Sequence, residues 1–232
     1  MSRSGKKGFG PILINVGLLF IEAALLLTGY NLWREYRAMD SSRQVMSQLE
    51  ACIPKKTQSD QPADTAVIAD EPDSAGSADP PHELEIPDYV LNPDMEMPET
   101  EIDGEKYVGV LRLRSLGLEL PVISEWSYPR LKLAPCRYSG TAYKGDLVIA
   151  GHDYRSHFGR LKELRAGDAV EFVDIDGNRF VYEVSELLTI QPDDAEELTG
   201  GEWELTLFTC TPGGRERLAV RCRLVLEDYG ND

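Results

Sequence analysis

Residues 205–224, LTLFTCTPGGRERLAVRCRL, hold two alternating runs either side of a short break from Thr211 to Gly214. Alternation with period two predicts a strand on each side of that break, because successive side chains of a strand point to opposite faces. Parity then sorts the residues. Trp203, Leu205, Leu207 and Thr209 share one face of the first strand, and Glu204, Thr206, Phe208 and Cys210 share the other. In the second, Leu218, Val220, Cys222 and Leu224 form the apolar face, opposite Arg217, Arg221 and Arg223. Cys222 is therefore expected in a core, the usual place of an unreactive thiol. Cys210 leaves the apolar face at a strand end, with four arginines within the next thirteen residues.

The same pattern extends backwards. AVEFVDIDGNRFVYEVSELLTI, residues 169–190, predicts a hairpin turning at Asp176-Gly177, the dipeptide that suits a two-residue turn. GDLVIAGH, residues 145–152, predicts a buried strand ending in Gly-His, and YVGVLRLRSLGLELPVI predicts strands over 107–113 and 118–123. FGRLKELRAGD leaves room for one helical turn, and LAPCRYSG, holding Cys136, reads as a loop. Seven or eight short strands over 104–232 predict an all-β domain, a closed barrel or a sandwich.

Upstream the chain changes character. Residues 52–103 carry fourteen acidic side chains against Lys55 and Lys56, with eight of the fourteen prolines. That composition predicts an acidic, proline-rich disordered linker. Most of the formal net charge of −16 comes from this stretch, and no basic stripe stands elsewhere, so nucleic acid is not expected as a partner. Residues 12–33 are predominantly apolar and would span about 33 Å as a helix, enough to cross a membrane once. Arg3, Lys6 and Lys7 precede the span, whereas Arg34 and Arg37 follow it beside Glu35 and Asp40, which favours a cytoplasmic N-terminus at 1–11. Residues 34–51 are expected to continue as a juxtamembrane helix, leaving 104–232 as the functional domain outside the cytoplasm.

The chemistry has few carriers. With four cysteines and three histidines, and no Cys-x-x-Cys, His-Glu-x-x-His or phosphate-binding loop, no metal, redox or nucleotide cofactor is expected. His82 falls in the linker, His152 ends a buried strand, and His157 follows in a polar loop. A reactive thiol needs a route to the thiolate, a proton donor for its leaving group and a positive donor for the developing oxyanion. Cys210, His152 and Arg217 supply those three. On the residues alone, an acyl-transfer enzyme, a thiol hydrolase admitting water and a tethered β-domain that only binds ligands all stand.

TLFTC at 206–210 resembles the Thr-Leu-x-Thr-Cys motif of the sortases, the membrane-anchored cysteine transpeptidases found mainly in Gram-positive bacteria. VIAGH followed by FGRLKEL resembles the segment bearing that family's active-site His, RLAV resembles the strand bearing its Arg, and VGVLRLRSLGLELPVI is similar to its first strands. The resemblance implies a closed sortase-type β-barrel of about eight strands with short helical turns over 104–232. It also implies Cys210 as nucleophile on an LPxTG-like sorting signal, His152 as general acid and then base, and Arg217 as the oxyanion donor, with Thr209 as a helper. The acceptor it implies is an amine of a cell-wall precursor or a pilin lysine. The short TPGGRE connection is similar to that of the compact sortases often called class D. The Asp-Pro-aromatic lid motif of pilus-building sortases is not matched, since Asp79-Pro80 is followed by Pro81. No ordered calcium-ligand spacing stands out.

Overall fold

A computed structural model describes residues 10–54, 86–211 and 213–225. The chain opens with helix α1 (Gly10–Cys52), followed by a single helical turn α2 (Asp88–Leu91). The strands are β1 (Thr100–Ile102), β2 (Glu105–Leu113), β3 (Leu118–Ile123), β4 (Cys136–Ser139), β5 (Leu147–Ala150), β6 (Ala169–Asp174) and β7 (Arg179–Ile190). After a short helix α3 (Ala195–Thr199) come β8 (Leu205–Cys210) and β9 (Arg217–Leu224). They form one sheet in the order β1-β2-β3-β4-β5-β8-β9-β7-β6, and β6 returns to pair with β2. That last pairing closes a barrel of eight strands, β2 to β9, with β1 appended at the rim.

Closure is antiparallel throughout the β2–β6 seam, from Gly109↔Asp174 to Leu113↔Val170. Within it Arg112 lies opposite Glu171 and donates from Nη1 to Oε1 at 3.2 Å. Arg114 and Arg179 also donate to the Glu171 carboxylate, each at 2.9 Å. Burial pulls the Glu171 pKa upward, but the surrounding guanidiniums, Arg179 foremost, hold it below the usual carboxylate range. Inside the ring pack Leu111, Val122, Ile149, Phe172, Leu207 and Cys222, all fully buried. Strands such as β5 and β8 are also covered on their outer face, which is why their sequences run apolar without alternation.

The hairpin β6–β7 turns where its sequence predicts, although the connection between Asp174 and Asn178 is three residues, 175–177, with only Gly177 left-handed, rather than a two-residue turn; β2, β3, β5, β8 and β9 lie on the runs expected to be strands. Two strands escape the sequence reading. LAPCRYSG is not a loop: Cys136 opens β4, which pairs antiparallel with β5 and meets β3 only at Ile123↔Cys136. β1 lies within 52–103 and pairs with β2 across Asp103-Gly104, whose φ angles of 54° and 81° give the paired left-handed residues of a tight hairpin turn. Met97 and Ile102 are buried in the domain, and Tyr89 of α2 stacks on Tyr143 at 4.7 Å. The folded domain thus begins upstream of residue 104. Residues 55–85, which read as linker, lie outside the described residues, as do 1–9 and the Asp79-Pro80-Pro81 site.

Helix α1 has two halves of different character. From Leu13 to Trp33 it is apolar and none of it is buried, so it is one helix long and apolar enough to cross a membrane. Beyond that span Ser42, Val45, Met46 and Leu49 are buried at i, i+3, i+4 and i+7, a single stripe on one face. The stripe packs on Ile102, Tyr107, Val110, Ile123, Ala134 and Cys136 on the outside of the barrel. The second half of α1, expected from composition to be only a juxtamembrane helix, is therefore part of the fold. Burying Val45, Met46 and Leu49 contributes about 1.5–3 kcal/mol each before entropy is counted.

Two outcomes are expected. A chain beginning near residue 38 should melt cooperatively, whereas one beginning at 104 loses β1 and the α1 stripe and should melt far lower or associate, as read by calorimetry and light scattering. Glu171 contributes stability above the carboxylate range that is lost as pH falls through its lowered folded value, because the unfolded chain then binds more protons. The stability advantage over Glu171→Gln, measured by urea unfolding, should therefore shrink on acidification and be largest near neutrality.

Candidate active site

The register of β8 with β9 decides the site. The pairs run from Leu205↔Cys222 to Cys210↔Arg217, so the last residue of β8 sits directly opposite the first residue of β9. Directly opposed side chains on an antiparallel pair share a face, with Cβ atoms about 4.5–5.5 Å apart. The turn is fastened by Thr211, whose N–H donates to the Glu216 carbonyl at 2.9 Å and whose Oγ1 accepts from the Glu216 N–H at 3.2 Å. A short, cross-bonded connection thus holds Cys210 and Arg217 directly opposite each other.

The third group arrives from the other side of β8. Strand β5 runs parallel to β8 with Ala150↔Phe208 as the last pair, and the Gly151 N–H donates to the Phe208 carbonyl at 2.9 Å. His152 follows at once, where both strands end. Gly151 is required there because a Cβ would collide with the buried ring of Phe158. Ala150, Phe208 and Ala219 lie in one cluster on the outer face of the sheet. Cys210 and Arg217 extend that face by strand parity, and His152 leaves the adjoining strand end.

The His152 ring is held on two sides. Its Nδ1 lies 2.8 Å from Asp153 Oδ1, an electrostatic pairing between neighbours rather than an aligned hydrogen bond, and its face stacks on Tyr154 with centroids 3.8 Å apart. Neither partner stands out in the sequence; the only signal is that both follow the histidine directly in HDY.

The four cysteines are all free. Cys222 and Cys136 are buried, and burial pushes both thiols up to about 12, so they stay protonated at neutral pH. Cys52 is exposed at the end of α1, and Cys210 is partly exposed at the strand end. The arginines divide as cleanly. Arg221 donates to Glu186 Oε1 at 3.1 Å and to the Glu197 carbonyl at 2.9 Å, and Arg223 lies over the Trp203 ring at 4.4 Å with Glu204 beside it. Arg217 reaches only the Gly214 and Glu216 carbonyls, at 3.4 and 3.3 Å, and has no acidic partner among the described residues. Thr209, by contrast, faces the barrel interior; its Oγ1 is buried without a partner among the described residues, on the opposite face from Cys210. Only its backbone adjoins the thiol.

His157, which reads as a polar-loop residue, is fully buried, and burial pushes its pKa down to about 4. An aromatic wall continues the outer face away from Cys210. Phe208 meets Tyr138 edge-on at 5.2 Å, Tyr138 adjoins Trp126 at 5.4 Å, and Tyr128 stands beyond it at 5.6 Å. Leu198 of α3 covers the same cluster. A hollow of about 830 Å³ lies elsewhere, between α1 and the β2–β3 edge, and its charged lining carries none of these groups. Among the described residues no group of three or more His, Cys, Asp or Glu is placed to hold a metal ion.

Residues 111–225 match the model of the sortase domain. Sortase A of Bacillus anthracis is 28% identical over 138 residues, which are 56% of this chain and 65% of that protein, so the chain spans less than two thirds of that relative. Among solved structures the chain is similar to Sortase A from Corynebacterium diphtheriae (TM-score 0.48, 22% identity, 55% of this chain and 64% of that one). It is also similar to a Clostridium perfringens Sortase D5 transpeptidase (TM-score 0.46, 22% identity, 52% of this chain and 79% of that one). The sortase-domain match includes β3 to β9 and takes in His152, Cys210 and Arg217, and with the closed barrel it shows that this chain belongs to the sortase family.

Proposed function

We propose that this chain is a membrane-anchored cysteine transpeptidase that cleaves an LPxTG-like sorting signal and passes the acyl fragment to an amine. The observation that carries the reading is the opposition of Cys210 and Arg217 across β8–β9, with His152 at the adjoining end of β5. His152 takes the thiol proton of Cys210, and Sγ attacks the carbonyl carbon of the threonine-like residue of the signal. The oxygen gains negative charge, and the Arg217 fork, free of acidic partners among the described residues, donates to it. Collapse of the tetrahedral species expels the amine, which takes its proton from His152, and leaves a thioester on Cys210. An incoming amine attacks the thioester while His152 accepts its proton; an amide forms and the thiol is restored. The Asp153 carboxylate favours a proton on Nδ1 of His152, which leaves Nε2 for this transfer.

The thioester keeps the acyl group activated, so the new amide needs no nucleotide outside the membrane. The apolar side chains of the signal suit the face of Phe208, Tyr138 and Leu198 beside the thiol. Helix α1 anchors the enzyme with its N-terminus in the cytoplasm and the barrel outside, where a cell-wall precursor or a pilin lysine serves as acceptor.

The full chain, incubated with LPxTG-like peptides and an added amine and followed by mass measurement, should give an amide product and a thioester adduct on Cys210. Release of free acid that the amine does not divert would instead make it a thiol hydrolase. Cys210→Ala should abolish the adduct, while Cys222→Ala should keep turnover and lower stability by about 1–2 kcal/mol through a small cavity. Arg217→Lys keeps the charge but loses the planar fork and should cut turnover roughly a hundredfold with little change in melting temperature. Arg221→Ala should do the reverse, because it strips Glu186 and the Glu197 carbonyl of their partner. Near-normal turnover in Arg217→Lys beside a dead but folded Arg221→Ala would move the oxyanion role to Arg221.

A further inference from the structure

The loop that follows β5 is tied to the membrane-proximal helix by one buried contact. Ser42, in the buried stripe of α1, donates its hydroxyl proton to the Leu133 carbonyl at 3.0 Å. A serine has one such proton, so the same Oγ faces His157 Nε2, 3.4 Å away, only as an acceptor. With the serine proton on the Leu133 carbonyl, the matching tautomer of His157 has its hydrogen on Nε2 and a bare Nδ1. Nδ1 is buried with no partner among the described residues, and the whole side chain is inaccessible, which keeps the ring neutral.

The buried ring is in turn coupled to the reactive one. Tyr154 stands between the two histidines, 5.6 Å from His157 and stacked on His152 at 3.8 Å. The backbone closes around this stack: the N–H groups of His157 and Gly159 both donate to the Tyr154 carbonyl at 2.9 Å, and the Phe158 N–H donates to the His152 carbonyl at 3.0 Å. Movement of His157 therefore reaches Tyr154, and through it the ring of His152. Other ionisable groups placed about His152 include Asp153 on its own loop and Cys210 and Arg217 on the adjoining strand ends.

We infer that His157 is a positioning residue for His152, held by Ser42 of α1 and acting through the stacked Tyr154, so that the membrane-proximal helix sets the orientation of the reactive imidazole. The role rests on the reading of His152 as the proton-transfer group. Ser42 and His157 touch no substrate; they fix the aromatic surface against which His152 rests. If the helix is pulled away from the barrel, the loop loses this polar tie to α1 and the His152 ring its fixed backing.

The test uses the full chain in detergent micelles with isotope-labelled histidine, of which there are only three. His157 should give nitrogen shifts of a neutral Nε2–H ring down to about pH 5. Ser42→Ala should move the titration midpoint of His152 by about half a pH unit or more, as the contacts around the ring change. Peptide turnover should fall roughly fivefold with KM changed less than about twofold. Ser42→Thr, which keeps the hydroxyl, should restore both. Tyr154→Leu should reproduce the Ser42→Ala effect, and the double variant should add little, as expected for residues acting in one chain. A Ser42→Ala chain that only melts lower, with the His152 midpoint and turnover unmoved, overturns the inference. A His152→Ala chain that still cleaves peptide overturns the catalytic assignment instead; the His152 titration decides the coupling in either case, a shifted midpoint upholding it and an unmoved one sinking it.

Discussion

Strand β8 is the member on which the site depends. Its backbone is bonded to β5 in parallel on one side and to β9 in antiparallel on the other, and both of its faces are covered. Each ladder fixes one neighbour's end against Cys210. A one-residue slip against β9 would turn Arg217 to the opposite face and send Cys222 out of the core, exposing an apolar face and burying guanidiniums. The hydrophobic interior therefore enforces the register that the site needs. Side chains at 152, 210 and 217 share a rim because burial of Leu205, Leu207, Val220 and Cys222 leaves β8 and β9 no other alignment.

The rim itself is stiffened by groups outside the Cys210–Arg217 pair. Arg221 and Arg223 hold Trp203 and Glu186, and Asp194 caps α3 by accepting from the Glu197 N–H at 3.2 Å. These contacts secure the connection that carries Leu198 over the outer cluster. Near the far end of the same sheet the buried Asp174 carboxylate accepts from the Tyr143 hydroxyl and the Asn178 amide, each at 2.7 Å, and locks the Asp176-Gly177 turn. Burial pushes the Asp174 pKa up, while these hydrogen bonds work in the opposite direction. Polar groups thus sit where the closed ring would otherwise fray.

The parts of this architecture legible in the sequence are those with a strong local signature. The Asp-Gly turn, the alternation in RLAVRCRL and the opposite fates of Cys210 and Cys222 follow from period two alone. What escaped depends on distant partners. β4 is four residues long and half polar, and it is a strand only because β5 lies beside it. β1 sits in an acidic, proline-rich setting whose average composition hides the Asp103-Gly104 turn, although that dipeptide is the same signal that marks the later hairpin. His157 looks like a loop residue among DYRSHFGR, since nothing near it in the chain shows that α1 covers it. The aromatic partner of His152 was legible only as adjacency, because stacking depends on how the loop folds.

The continuity of α1 has a mechanical consequence. Between the end of its apolar span at Trp33 and its last turn at Cys52 the helix advances about 28 Å by its rise per residue. Leu49 and Ile53 are already seated on the barrel, and so are Met97 and β1. Pro54 and Ile86, which flank residues 55–85, therefore both adjoin the same body, and in the proposed anchored form the length of that stretch would not set the height of the rim above the lipid. A stiff mast would set it instead. In the anchored arrangement proposed above, an enzyme mounted in this way would patrol a thin layer parallel to the membrane, and its partners would have to present their reactive ends at that altitude.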